Sequence, residues 1–196
     1  MQHNSMAVPI EGKESTLSDD AALVQAARED PIAFGTLYER YRDRIYWYLL
    51  ARTKSEEDAA DLTQHVFLRA LDALQQYHPQ KGSFLAWLVA IARNTSINFL
   101  QRHHTTVAWD LVPQVLHPTT EPDLETEVLQ REAIAHLRML FNALDQHKRE
   151  LLVLRFVAGL TAAEIAVVIG KSEAATKKQL ARTLHILKEQ YHDTAQ

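Results

Sequence analysis

Lys177, Lys178, Gln179 and Arg182 lie within two helical turns of one another near the C-terminus, with Lys171 and Ser172 just ahead of them. Side chains of these types do no covalent chemistry. They neutralise phosphates and donate hydrogen bonds to base edges, with Arg suited to guanine and Gln to adenine. Such contacts need a rigid element that fits a groove, and the flanking sequence supplies one.

Thr161 and Glu164 have the spacing of a capping box, in which hydroxyl and carboxylate each satisfy a backbone group at a helix start. Gly170 follows, able to make the left-handed turn that ends a helix. Ser172 then caps a second helix whose Thr176, Leu180, Leu184 and Leu187 form an apolar stripe, with Lys178, Arg182 and His185 opposite. The pattern predicts a helix-turn-helix directed at DNA; the plainer alternative is a helical hairpin with a solvated basic face. Charge favours DNA. Lys148 to Glu189 holds eight Lys and Arg against four acids, whereas the whole chain carries a net charge of -4.

A second segment has the same leaning. From Ala73 to Trp109 there is no Asp or Glu, and Lys81, Arg93, Arg102, His78, His103 and His104 lie inside it. Tyr77, Phe84, Trp87, Phe99 and Trp109 accompany Asn94, Ser96 and Asn98. Aromatics and amides near cations can hold unstacked bases without like-charge repulsion of phosphates. Phe84, Trp87, Leu88 and Ile91 are at core spacing, so Trp87 is assigned to the core. Tyr77, His78 and Lys81, in a loop, are the better base-contact candidates.

The chain of 196 residues has room for one large domain or two small ones, and its few Gly and Pro favour helices. Periodicity predicts four helices between Ser18 and Leu100, beginning at a Ser18 cap, and a second helical group from Val128 onward. The expected architecture is all-α: two small helical domains joined by a flexible linker, the second ending in the helix-turn-helix. The expected boundaries are a tail over 1–17, a first domain over 18–102, a linker over 103–126, a second domain over 127–190 and a tail over 191–196. The absence of cysteine excludes disulfides, thiolate catalysis and zinc-thiolate sites. Met1 to Lys13 lacks the apolar core of an export signal, and no apolar run approaches membrane-spanning length, so no membrane insertion is expected.

Asp58-Ala59-Ala60-Asp61-Leu62-Thr63-Gln64-His65-Val66-Phe67-Leu68, followed by Phe84-Leu85-Ala86-Trp87-Leu88-Val89-Ala90-Ile91-Ala92-Arg93-Asn94, resembles the signature segments of bacterial RNA polymerase sigma factors. With the linker and the terminal helix-turn-helix, the order is similar to the small two-domain extracytoplasmic-function (ECF) group. The resemblance implies a cytoplasmic, non-enzymatic promoter-specificity subunit that needs no cofactor or metal and acts on no small-molecule substrate. Its implied partners are core RNA polymerase, promoter DNA and an anti-sigma factor. Asp61, Gln64 and His65 then fall on the polymerase-binding helix. Tyr77, His78, Lys81, Arg93, Asn94 and Asn98 fall on the elements that melt and read the -10 region. Lys171, Ser172, Lys177, Lys178, Gln179 and Arg182 fall on the reader of the -35 region.

Some positions depart from the family pattern. His65 and Ala60 stand where acids are common, and Asn98 where Asp is common. Ala174-Ala175-Thr176 replaces a usual Gly-Thr-Val, and Gln179 often is Arg. Thr176, on the buried stripe, must satisfy its hydroxyl on the preceding turn. The acids Asp110, Glu121, Asp123, Glu125 and, at the linker's end, Glu127 suit a solvated tether, which is the favoured reading; the resemblance implies instead a strand on the polymerase's RNA path. Two other readings remain open: a repressor or activator that binds DNA without polymerase, and a helical mimic that binds other regulators. An enzyme is the least expected, because no nucleophile-base pair or metal-ligand spacing is legible.

Overall fold

The computed structural model describes residues 13–53, 55–102 and 124–194. Among them every element is helical, as the sequence predicts. The first unit comprises α1 (Lys13–Glu29), a 3-10 turn (Pro31–Ala33), α2 (Phe34–Thr53), α3 (Glu56–Asp72), 3-10 turns at Leu74–Gln76 and Pro79–Lys81, and α4 (Phe84–Arg102). The second comprises α5 (Leu124–Ala143), α6 (Gln146–Leu152), a π-helical turn (Val153–Val157), α7 (Ala162–Ile169) and α8 (Glu173–Thr194). The expected linker lies outside the described residues except for its last three positions, which α5 absorbs.

The predicted caps explain where the helices begin. Ser55 Oγ accepts from the Asp58 N–H ahead of three acids in the first turn of α3, where the helix dipole favours negative charge. Asp145 caps α6 in the same way. α1 departs from expectation: it runs from Lys13, so Ser18 lies inside the helix rather than at its start. No Gly or Pro stands between Lys13 and Ser18 to stop the helix from extending backward. α1 is fastened to α2 through Asp20, whose buried carboxylate accepts from the Tyr41 hydroxyl and from Arg40 at 2.7 Å. Burial and then the Asp20 carboxylate push the Tyr41 hydroxyl well above its ordinary pKa, which keeps it a donor.

In the first unit Leu37, Ile45, Tyr48, Leu49, Val66, Phe67, Phe84, Leu88 and Val89 interdigitate, with Phe34 and Tyr38 packed edge-on against Phe67. The buried residues of the second unit, among them Phe141, Leu151, Leu154, Leu160 and Ile165, join the same continuous core. α7 packs on α4, and the π turn packs on α2. Two domains of the expected kind are therefore present, and here they share one interior.

Candidate nucleic-acid interface

Charge at the junction decides which groups face outward. Glu150 projects from α6 into the first unit, where Oε1 accepts from Arg93 Nε at 2.8 Å and from Arg52 Nη1 at 3.2 Å, and Oε2 accepts from Arg93 at 3.4 Å. Arg52 also donates to Ser96 Oγ at 2.8 Å. Burial alone pushes the Glu150 carboxyl up; the hydrogen bonds from Arg93 and the charge of Arg52 outweigh it and hold the group below the usual carboxylate range. Ser83 Oγ, beside the first-unit loop, donates to Glu164 at 2.5 Å. The guanidinium of Arg44 lies over Gly159, whose positive φ of 70° makes the turn ahead of α7.

On α3, Asp61, Gln64 and His65 are exposed together while Leu62, Val66 and Phe67 are buried on the other side. Leu68 shares the exposed strip at 60% accessibility and was not singled out by sequence. Its recurrence seven positions after Asp61 was the available signal.

The loop before α4 differs from expectation at Tyr77. Only 4% exposed, Tyr77 packs against Phe84 and Trp87, and its hydroxyl donates to the Gly82 carbonyl at 3.1 Å. Arg28 donates to the Tyr77 carbonyl. The residue builds the loop from inside, because an aromatic beside two core aromatics gains more by burial than by standing in water. His78 and Lys81 are exposed at the loop surface, and Gly82, at φ 147°, takes a backbone conformation that other residues rarely adopt. Trp87 is partly buried against the core, close to its assignment. Further along α4, Asn94 and Asn98 are exposed, but the Arg93 guanidinium is engaged by Glu150.

The helix-turn-helix forms as the spacing predicts. Thr161 Oγ1 accepts from the Glu164 N–H at 3.2 Å, and Glu164 Oε2 accepts from the Thr161 N–H at 2.7 Å. Gly170 ends α7 at φ 68°, ψ 38°, and Ser172 Oγ accepts from the Ala175 N–H at 3.3 Å. Thr176 and Thr183 are buried and donate to the carbonyls of Ser172 and Gln179, at 3.0 and 2.8 Å. Leu184 corrects the predicted stripe: at 42% accessibility it lies outside, and Thr183 takes its place beside Leu180. Seven positions from Thr176 is two full turns and eight overshoots, so Thr183 holds the register.

Lys178 and Arg182 are exposed with no ion pair among the described residues, whereas Lys177 lies 2.6 Å from Glu173. Lys171 and Ser172 are exposed at the turn. Gln179 stands apart from this open face: it is partly buried on the flank toward α6, with Oε1 3.3 Å from His147 Nε2 and 3.4 Å from Lys171 Nζ. Sequence reasoning missed His147, since nothing local links it to a helix 32 positions on.

No group of three or more potential metal ligands occurs among the described residues. No described helix is long and apolar enough to cross a membrane. What the arrangement offers is two separate exposed polar sets: Lys81 with Asn94 and Asn98 on the first helical unit, and Lys178 with Arg182 on the second.

Those units coincide with two known sequence families. Sigma-70 region 2 matches residues 37–106, which run from α2 through α4, and Sigma-70, region 4 matches residues 134–185, which include the helix-turn-helix. The ECF RNA polymerase sigma factor BldN of Streptomyces coelicolor is 34% identical over 163 residues, or 83% of this chain and 61% of that protein. The chain thus spans about three fifths of that relative's length. The structure of CnrH in complex with the cytosolic domain of CnrY is similar in fold, with a TM-score of 0.60 at 24% identity over 89% of this chain and 97% of that one. So is the sigma factor RpoE in complex with the anti-sigma factor NepR from Bartonella quintana, with a TM-score of 0.55 at 16% identity, covering 81% and 96%. Matched in both units, and in the order its motifs require, the chain belongs to the RNA polymerase sigma factors, in their extracytoplasmic-function group.

Proposed function

We propose that this protein directs transcription initiation by binding core RNA polymerase and presenting two DNA-reading elements to a promoter. The observation that carries the reading is the pairing of exposed Lys81, Asn94 and Asn98 on one unit with exposed Lys178 and Arg182 on the other, each set within its own sigma-family segment. Asp61, Gln64 and His65 on α3 are the polymerase contacts, with Leu68 adding apolar area to the same strip. His78, Lys81, Asn94 and Asn98 meet the -10 region, and Tyr77 shapes the loop that carries His78 and Lys81. Lys178 and Arg182 face the -35 region, with Lys171, Ser172 and Lys177 flanking them.

Arg93 belongs to the -10 set only when Glu150 lets go of it. The packed arrangement is therefore a resting form, and promoter engagement separates α6 and α7 from α4. An anti-sigma factor is the expected restraint on this cycle. The protein performs no covalent step itself and works in the cytoplasm beside the polymerase. The test is run-off transcription with purified core enzyme and genomic promoter fragments: specific initiation is expected. A chain that fails to bind core polymerase, or that binds paired half-sites alone as a symmetric dimer, overturns the proposal in favour of a conventional repressor or activator.

A further inference from the structure

Lys171 sits between the left-handed Gly170 and the capping Ser172, at the point where the chain turns into α8. Its ammonium lies 3.0 Å from His147 Nε2 and 3.4 Å from Gln179 Oε1. An ammonium has three N–H donors and accepts nothing, so the atoms facing it are acceptors. Lys171 thus pairs with a His147 ring whose Nε2 accepts and a Gln179 amide turned oxygen-first; His147 Nε2 and Gln179 Oε1, 3.3 Å apart, then share the one ammonium rather than bond to each other. Two donors are directed into this bracket, and the third remains for an outside acceptor, since Lys171 is exposed.

Two consequences follow for DNA reading. Gln179 is partly buried with its oxygen turned toward Lys171, so a bidentate contact to adenine would need that oxygen shared or released. A lysine held by two side chains from two helices has also given up rotamer freedom before binding, a loss that a free lysine would take on immobilisation. Preorganised cations beside a recognition helix suit backbone phosphates, which fix the register of the helix without carrying sequence.

We propose that His147 and Gln179 are positioning residues of the promoter reader. They hold Lys171 as a fixed contact to a DNA backbone phosphate at the -35 element, and base choice there rests with Lys178 and Arg182. The inference builds on the reading of α8 as the -35 helix. It extends the DNA-contacting apparatus to α6, outside the helix-turn-helix.

The test uses the full chain assembled with core polymerase on a promoter and a panel carrying every single-base change in its -35 element. Affinity is read across a salt series for the wild type and for Gln179→Met, which keeps the volume and loses the acceptor, His147→Leu, Lys171→Met, Lys171→Arg and Arg182→Ala. Gln179→Met, His147→Leu and Lys171→Met are expected to weaken binding several-fold and evenly across the panel. Lys171→Met lowers the salt slope by about one. Gln179→Met adds little once Lys171 is gone, because the two act as one unit. Lys171→Arg restores most of the affinity, and Arg182→Ala alone reorders the panel. A Gln179→Met protein that reorders the panel, or whose loss multiplies fully with that of Lys171→Met, overturns the inference and leaves the promoter reading standing. A wild type that directs no initiation overturns both.

Discussion

Lys177, Lys178 and Arg182 lie within six positions of one another and are unlike in state. Lys177 is bridged to Glu173 at 2.6 Å, while Lys178 and Arg182 have no ion pair among the described residues. An exposed bridge is worth under about 1 kcal/mol, so Lys177 is not disabled, but it brings less uncompensated charge to DNA. Arg182→Ala is expected to cost about 1–3 kcal/mol at a cognate -35 element and to relax base preference, whereas Lys177→Ala costs less and evenly, as competition binding across altered promoters will show. On α3, Asp61→Ala removes an exposed carboxylate that no core residue needs. It is expected to weaken binding to core polymerase several-fold in a fluorescence titration, with an unchanged melting temperature. At this scale the sequence was legible where a side chain's role is local. Thr176 closes its hydroxyl on the previous turn as its position demands. Tyr77 was not legible, because its burial depends on Phe84, Trp87 and Arg28 converging on it from two helices.

In the helix-turn-helix, the cap and the turn are both set by residues within a few positions of them. Thr161, Glu164 and Gly170 each do what their spacing predicts, and each can be tested alone. Thr161→Ala removes the acceptor for the Glu164 N–H and is expected to cost about 1 kcal/mol of stability. Gly170→Ala is expected to cost about 1–2 kcal/mol, from the left-handed backbone alone, since nothing lies within 4 Å of the added methyl. Thermal melting reads both, and an unchanged melting temperature would remove the cap and turn from the explanation of why α7 starts and stops there. The π turn at Val153–Val157 was invisible to periodicity, which continues a regular helix through these apolar residues. It puts the Ala158 N–H on the Val153 carbonyl at 3.0 Å, and the chain then reaches Gly159 beneath Arg44. That packing is tertiary, with no local signal.

The two units meet through residues far apart in sequence: Arg52 and Glu150 are 98 positions apart, Arg93 and Glu150 57, and Ser83 and Glu164 81. Helix periods and most caps were readable because each is written within a few turns; the junction is not, because no local pattern specifies which carboxylate meets which guanidinium. Removing one partner of a buried ion pair costs about 3–5 kcal/mol, since the other charge is left without its counterion. Glu150→Gln is therefore expected to open the packed form, seen as a larger radius of gyration in X-ray scattering, and to free Arg93. The sign of the pH effect follows from the depressed carboxyl. The contribution of Glu150 is complete above its ordinary pKa of 4.5 and is lost as pH falls below that through the folded value. Acidification of the wild type through this range is expected to loosen the junction, and Glu150→Gln to flatten that part of the stability profile.

If one chain places two DNA readers on polymerase, each promoter element contributes separately to initiation. The most direct measurement is transcription reconstituted with core enzyme on a promoter whose -10 and -35 elements are altered separately and together. Specific initiation that each alteration weakens is expected, with Lys178→Ala and Arg182→Ala affecting only the response to the -35 element and Asn94→Ala and Asn98→Ala only the response to -10. Initiation that ignores both elements, or no initiation from a chain that binds promoter DNA tightly without polymerase, would contradict this placement of two readers.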